Sequence, residues 1–281
     1  MPVFGTPEPI WLTIDIPVGD IRLTASDRED TVVEVAPSDS AKVEDRLQAE
    51  QTRVEYGDGR LLVKAPRQRG LGLFSKPGSV DVTVSLPTES RVECDAAVAA
   101  VHGAGRFGAC RVKSATGDIR FDEVGTADLH TAAGSILIDL TAGDAELTSG
   151  SGKLRVSRID GSATIKNSNG DCWVGEISGT LRMSSGNGTV VVDRPAGDVT
   201  LASGNGDVRV GDLTSGVASA KTGMGRIEIG IHAGTAALLD LHTSFGTVRN
   251  SLESTDGPHG AAETVELHAR TSYGDIVIRR A

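Results

Sequence analysis

The sequence has few aromatic residues, few cysteines and no long hydrophobic run. Aromatic residues make up only 3% of the 281 residues. The three cysteines, Cys94, Cys110 and Cys172, are far apart and odd in number, a usage typical of a reducing compartment. No apolar stretch approaches the length of about 20 residues that a membrane-spanning helix needs, and no secretory signal is visible. We therefore expect a cytoplasmic location, with surface association through another export route as the open alternative.

Positive charge and catalytic motifs are also lacking. The formal net charge is −10, and acidic chains are repelled by phosphate backbones, so a nucleic-acid partner is not expected. The chain contains no Walker A, HExxH, GxSxG or EF-hand pattern, and its six histidines show no metal-ligand spacing. We expect a protein that is not an enzyme and has no cofactor and no bound metal.

Glycine, by contrast, is abundant, with 35 residues, and it recurs at a fixed spacing. Successive glycines before an apolar-x-apolar arm are separated by 17, 18, 18, 18, 18, 19, 21 and 28 residues. These corner glycines are Gly117, Gly134, Gly152, Gly170, Gly188, Gly206, Gly225, Gly246 and Gly274. A second turn divides most intervals in half, so one repeat reads as strand, turn, strand, turn.

Within the first arm of each repeat, apolar and other residues alternate. In "DVRV", for example, Val208 and Val210 are apolar and Arg209 between them is charged. This period of two predicts a strand with one buried face. A meander of hairpins and a β-solenoid would both contain such strands, but only the solenoid stacks each arm on its equivalent one repeat later.

The residues just before the corner glycines favour the solenoid. Asn169, Asn187 and Asn205 precede three consecutive corner glycines and would form a structural ladder if the repeats stack in register. Phe245 and Tyr273 hold the same position near the end and would stack likewise. The sequence predicts an all-β fold, a two-strand-per-turn β-solenoid of about nine 18-residue repeats spanning residues 96–281.

Residues 1–95 do not follow the repeat. Alternating segments such as "SVDVTVSLP" predict longer strands, and residues 40–51 place Val43 and Leu47 at helical spacing with Ser40 as an N-cap. We expect an N-terminal β-rich cap with one short helix, which protects the end of the solenoid from edge-to-edge aggregation. The segment 67–76 ("RQRGLGLFSK") predicts a hairpin loop, or a loop that docks to a partner or a membrane surface.

The repeat "SGNGDV", the late "TVRN" and the terminal "TSYGDIVIRRA" resemble a bacterial putative-adhesin family of β-strand repeats, domain of unknown function 4097. The resemblance covers nearly the whole chain. It implies a β-solenoid fold, no assigned chemistry and, from some relatives, a link to envelope-stress responses.

The outward-facing column of the first arms contains a candidate interaction patch. Three apolar residues, Leu137, Trp173 and Val191, lie where a polar face is expected, and exposed apolar groups mark contact surfaces. Arg155 and Arg209 flank them and complete the predicted patch. The patch favours a non-enzymatic interaction or scaffold protein that binds a protein partner or associates with itself.

Two alternatives remain, one for this face and one for the residues after the corner glycines. A carbohydrate-binding or polysaccharide-active β-helix would need clustered carboxylates and aromatic platforms, and this column holds one aromatic residue. Asp128 and Glu146, the paired carboxylates, belong to the other arm. A calcium ladder would need a carboxylate after each corner glycine, but Lys153 and Arg226 interrupt that column.

Overall fold

The structure is a computed structural model that describes residues 1–66, 78–253 and 263–281. These residues form mostly β-strand, with one helix, which confirms the predicted all-β fold. The chain divides into two compact units, Met1–Ile138 and Asp139–Ala281. The domain boundary expected near residue 95 stays a prediction, and the segment 67–76 lies outside the described residues.

The elements of the first unit are nine strands and one helix within the described residues. In chain order they are β1 (Val3–Gly5), β2 (Trp11–Ser26), β3 (Asp30–Pro37), α1 (Val43–Gln51), β4 (Arg53–Gly57), β5 (Arg60–Lys64), β6 (Val80–Pro87), β7 (Arg91–Thr116), β8 (Ile119–Ala133) and β9 (Ile136–Thr141). The last strand crosses the division between the units.

Strand β2 organises the first unit. It pairs in parallel with β5 near its start, with β6 near its end, and with β7 along most of its length. Strands β3 and β6, β1 and β3, and β4 and β5 pair antiparallel. The Asp58–Gly59 turn that joins β4 to β5 has positive φ at both residues, as expected of the hairpin turns that favour Asp-Gly. The described part of residues 1–95 is rich in β-strand and contains one short helix, as predicted.

Helix α1 differs from its predicted packing. It begins after Lys42, which makes no side-chain cap, so the N-cap expected at Ser40 is wrong. Val43 and Leu47 are 53% and 45% exposed, whereas Asp45 and Gln48 are buried. The Asp45 carboxylate accepts the backbone N–H of Ser79 at 2.9 Å. Polar contacts to neighbouring loops, rather than an apolar stripe, therefore attach the helix, because buried polar groups need hydrogen-bond partners.

The second unit consists of paired short strands. In chain order they are β10 (Ala145–Ser151), β11 (Leu154–Ile159), β12 (Ala163–Asn169), β13 (Cys172–Ile177), β14 (Leu181–Asn187), β15 (Val190–Pro195), β16 (Val199–Asn205), β17 (Val208–Leu213), β18 (Gly216–Met224), β19 (Ile227–Ile231), β20 (Thr235–Phe245), β21 (Val248–Asn250), β22 (Glu263–Tyr273) and β23 (Ile276–Arg280).

These strands form a β-solenoid, as predicted, and not a meander. Each strand pairs in parallel with its equivalent one repeat later, so that Cys172 lies beside Val190 and Val190 beside Val208. The alternating apolar residues point inward and are buried, Val190 and Val192 among them. One coil cannot bury its own apolar side, but stacked coils bury each other.

The corner glycines allow the coils to stack closely. Gly188 has a φ of 144°, in the region that favours glycine. A Cβ added there would collide with the carbonyl oxygen of Gly170, the corner glycine one coil earlier. The repeated glycine is therefore required both by backbone conformation and by the close approach of the next layer.

The order of the last layers corrects the sequence prediction. The coil of β22 and β23, which we call the inserted coil, lies between the coil of β18 and β19 and the coil of β20 and β21, which we call the edge coil. The column therefore runs Met224, Tyr273, Phe245 rather than in chain order. The predicted stack of Phe245 on Tyr273 is confirmed, with ring centroids 4.9 Å apart and planes 6° apart.

Side-chain chemistry explains this order. Asn250 of the edge coil lies in register with Ile278 of the inserted coil, whose side chain is buried. An amide buried between two layers without partners costs free energy, whereas at the last layer it stays exposed. The more apolar C-terminal coil, with Ile276 and Ile278, takes the enclosed position.

Candidate interaction surface

Four residues of the predicted patch lie together on the outer face of the second unit. Strands β11, β13, β15 and β17 place Arg155 beside Trp173, Trp173 beside Val191, and Val191 beside Arg209. The residues on either side of each, such as Cys172 and Val174, are buried. The middle residues therefore point away from the core.

Trp173 is held in place by its neighbours. The Arg155 guanidinium carbon lies 3.9 Å from the centroid of the indole ring, within the range of a cation–π interaction. A Cβ built on Gly175 would lie 3.1 Å from the far edge of the same indole. The ring is half-buried, so it offers an ordered apolar surface without a large loss of side-chain freedom on binding.

The other patch residues differ in their surroundings. Val191 is half-buried, and Arg209 is exposed and pairs with Asp207 at 3.2 Å. Leu137 belongs to the first unit, where it is half-buried on β9. The second unit thus contains the aromatic centre of the patch with a cation on each side.

A row of charges runs parallel to this column, three residues further along each strand. Arg158, Glu176 and Arg194 lie in register on β11, β13 and β15, and Arg194 pairs with Glu176. This row gives the apolar centre a polar border, the arrangement found at protein interfaces, where a polar rim surrounds a buried anchor.

The predicted asparagine column is in register. Asn169 pairs with Asn187, and Asn187 with Asn205, and the Asn187 amide donates to Asn169 Oδ1 at 2.9 Å. All three side chains are exposed. The ladder therefore lies along an outer corner of the coils.

A second ladder, missed by our sequence reasoning, lies inside the coils. Ser203 Oγ donates to the Gly188 carbonyl at 2.9 Å, and Thr222 Oγ1 donates to the Gly206 carbonyl at 2.8 Å. Each hydroxyl stands three residues before a corner glycine and bonds to the corner one coil earlier. The sequence contains the signal, since Ser, Thr or Asn occupies this position at every repeat: Ser114, Thr131, Ser149, Asn167, Ser185, Ser203, Thr222, Thr243 and Thr271.

The corner aspartates also have a structural task. Asp171 accepts the Thr189 N–H at 2.9 Å, and Asp275 accepts both the N–H and the hydroxyl of Thr247 at 2.9 Å. These hydrogen bonds hold the pKa of Asp275 below its ordinary value. The aspartates that follow the corner glycines, which a calcium ladder would use as ligands, thus bridge adjacent coils. Across the three described ranges, no group of three or more His, Cys, Asp and Glu residues could hold a metal ion.

The three cysteines are free and buried. Burial raises the pKa of Cys94 and Cys110 to about 12 and that of Cys172 to about 11. Their thiols therefore stay protonated near neutral pH, which is the behaviour of structural cysteines.

In the part of the chain that the structure describes, no helix has the length and apolar character needed to cross a membrane.

Comparison with known proteins identifies the family of this fold. The family model described as Toastrack DUF4097 matches residues 12–279. No curated protein shows significant similarity to the chain.

Solved structures also match, at low identity. A putative adhesin from Parabacteroides distasonis is 13% identical, with 98% of this chain and 95% of that chain covered and a TM-score of 0.42. A putative adhesin from Bacteroides fragilis is 13% identical, with 99% and 95% covered and a TM-score of 0.33. A putative cell adhesion protein from Clostridium sporogenes is 10% identical, with 100% and 98% covered and a TM-score of 0.24.

Proposed function

The chain belongs to the Toastrack family DUF4097, and from that premise we propose that it is a non-enzymatic interaction scaffold whose second unit binds a protein partner. The observation that carries the proposal is the ordered indole of Trp173 in the middle of an outward face, with Arg155 stacked on it at 3.9 Å. Trp and Arg are the residue types enriched at the energetic centres of protein interfaces.

The rigidity of the surrounding coils supports this role. Trp173 and its neighbours lie on parallel strands whose inward residues are buried, so the patch keeps its shape without a partner. A preorganised surface loses little conformational entropy on binding. The proposal requires no cofactor and no nucleic acid.

The substitution Trp173→Ser tests the proposal. We expect the melting curve to change little, because the indole is half-buried, and capture of protein partners from native extract to fall strongly. Arg182→Ser is the matched control, since Arg182 is exposed on β14, the other arm of the repeat. A Trp173→Ser protein that melts at much lower temperature while it captures the same partners would show that the indole serves an internal contact.

A carbohydrate ligand is the second candidate function, favoured by a cleft of about 420 Å³ in the first unit. Trp11 lines it and is 39% exposed, with the Arg60 guanidinium carbon 5.0 Å from the ring centroid. Asp58, Glu89 and Arg91 complete a lining of charged groups that could accept hydrogen bonds from, or donate them to, hydroxyls. Binding on a glycan array that Trp11→Ala abolishes would establish this function, and an empty array would remove it.

The proposed location is the cytoplasm, with a role in envelope-stress responses as the family resemblance implies. The three free, buried cysteines support a reducing compartment. Cell fractionation tests the location, and recovery of the protein only in the extracytoplasmic fraction would contradict it.

A further inference from the structure

The edge coil leaves one side of its strands open. Strand β20 pairs with β22 and β21 pairs with β23, and within the described residues neither strand pairs on its other side. Leu239 and Leu241 point to the core side yet are only half-buried, whereas their register partners Leu267 and Ala269 are fully buried. Leu238, on the outer side of β20, is 69% exposed.

The composition of β20 does not protect this edge. Natural edge strands avoid further pairing by being short, by carrying charged side chains or Pro, or by bulging away. Strand β20 is eleven residues long and contains neither Lys nor Pro. Its one acidic residue, Asp240, is hydrogen-bonded to His268 and Arg270 of the neighbouring strand β22. Its unpaired N–H and C=O groups and its two half-buried leucines are suited to another strand.

We propose that β20 pairs with β20 of a second copy of this chain, antiparallel, about a two-fold axis at Leu241. A closed dimer with two-fold symmetry uses the same surface on both copies, and a strand placed across such an axis meets its own copy antiparallel. This inference concerns a different surface from the Trp173 patch and does not depend on the proposed function.

The side chains select the register. Directly opposed residues in an antiparallel pair point to the same face of the sheet. If the two-fold axis passed between two residues, the core-side Leu239 and Leu241 would lie opposite residues of the other copy that point outward. An axis at Asp240 would oppose two aspartates, and an axis at Leu239 would set Leu238 of each copy against Asp240 of the other. An axis at Leu241 opposes the two Leu241 side chains and places Asp240 of each copy opposite His242 of the other, where the carboxylate can accept a hydrogen bond from an imidazole N–H.

This pairing would also cover the open core. Leu241 would contact its own copy, and Leu239 would face Thr243 of the other copy on the inner side. The backbone groups that β20 leaves free would enter a regular ladder, because antiparallel neighbours exchange N–H···O bonds at alternate residues. The exposed end of one solenoid would thereby become continuous with the end of another.

A cysteine cross-link tests the register in the full chain. Opposed residues of a hydrogen-bonded antiparallel pair have Cα atoms about 5.5 Å apart, within the span of about 4.4–6.8 Å that a disulfide bridges. Leu241→Cys should therefore form a covalent dimer on mild oxidation. The control is Leu238→Cys. Leu238 is more exposed than Leu241, but in this register it lies opposite residue 244 of the other copy. The two cysteines at position 238 would therefore be about 20 Å apart along the strands. The three native cysteines are buried and do not compete.

Sedimentation of the unmodified chain tests the dimer itself. We expect a dimer in the micromolar range, a dissociation constant raised at least tenfold by Leu241→Lys, and no change in Trp173→Ser. Circular dichroism of each variant shows whether the coils are intact. A chain that stays monomeric at all concentrations, a Leu241→Lys protein that remains dimeric, or equal cross-linking at positions 238 and 241 would overturn the proposal.

Discussion

The central coils of the second unit, β12 to β17, and its edge coil have the same strand–turn–strand layout but different environments. In the central coils, neighbours in space are 18 residues apart, and inward residues such as Leu201 are buried. The edge coil is separated from its spatial neighbour by 28 residues, and its inward Leu239 is half-buried. The difference shows that the repeat specifies how coils pair. A coil whose inward face is partly polar is tolerated at the end of the stack, because that face remains partly exposed to water there.

The largest expected effect comes from adding a methyl group at a corner. Gly188→Ala should cost about 3 kcal/mol or more, because the residue has a φ of 144° and its Cβ would collide with the Gly170 carbonyl. Gly234, at the start of the edge coil, also has positive φ, but open space surrounds its Cβ position.

Gly234→Ala should accordingly cost only about 1 kcal/mol, the backbone contribution alone. Urea unfolding of both variants measures the two values. Equal losses at the two glycines would mean that layer contact does not require the corner glycine.

Leucine truncation gives the next largest contrast. Leu201→Ala in a central coil should cost about 3 kcal/mol, since the side chain is buried and the cavity cannot collapse fully. Leu239→Ala in the edge coil should cost about 1 kcal/mol in dilute protein, because its side chain is only half-buried.

Protein concentration sharpens this contrast. If two edge coils pair, the cost of Leu239→Ala rises with concentration while that of Leu201→Ala does not. Thermal unfolding at several concentrations measures the dependence. A Leu201→Ala protein no less stable than Leu239→Ala would contradict the assignment of core and edge.

The two polar ladders should differ less. Ser203→Ala should cost about 1–2 kcal/mol, because the buried hydroxyl donates to the Gly188 carbonyl. From the sequence alone, Asn187→Ala is expected to cost a similar amount, but the exposure of its amide lowers the expectation to about 0.5 kcal/mol. Chemical denaturation with unchanged m-values measures both, and a larger loss at Asn187 would place the main support in the outer ladder.

The smallest expected effect is a pH dependence that arises in the edge and inserted coils. His268 bonds to Asp240 at 3.1 Å and to Glu266 at 3.0 Å, and these contacts raise the pKa of His268. Hydrogen bonds from His268 and Arg270 lower the pKa of Asp240. The histidine contribution is complete below its unfolded pKa of about 6.5 and is lost as pH rises through the folded value. The aspartate contribution is present above about pH 4 and is lost as pH falls through its lowered pKa.

Melting temperatures between pH 5 and pH 9 should therefore decline slightly on the alkaline side, and His268→Gln should remove that decline. His102→Gln is the control, since His102 is exposed on β7, outside these two coils. An alkaline decline that survives in His268→Gln would assign it to another group.

Most of the fold could be predicted from local regularities. The 18-residue spacing and the alternation in segments such as "DVRV" predicted parallel stacking in register, and the pairing of Val190 with Val208 confirms it. The candidate patch was also placed by spacing, because Arg155, Trp173, Val191 and Arg209 occupy equivalent positions of equal repeats. Helix α1 was predicted to exist, but its buried face was not, since Asp45 and Gln48 are buried through bonds to residues distant in the chain.

The repeat, the inward faces and the corner glycines can all be read from the amino-acid order, because each depends on residues within one coil or on a constant offset to the next. The position of the inserted coil inside the edge coil emerges only when the coils are packed together. Spacings of 21 and 28 residues no longer enforce chain order, so the coils compete for positions. Leaving an inward face exposed to water costs more free energy when it contains Ile276 and Ile278 than when it contains Val248 and Asn250. The coil with the two isoleucines therefore takes the enclosed position.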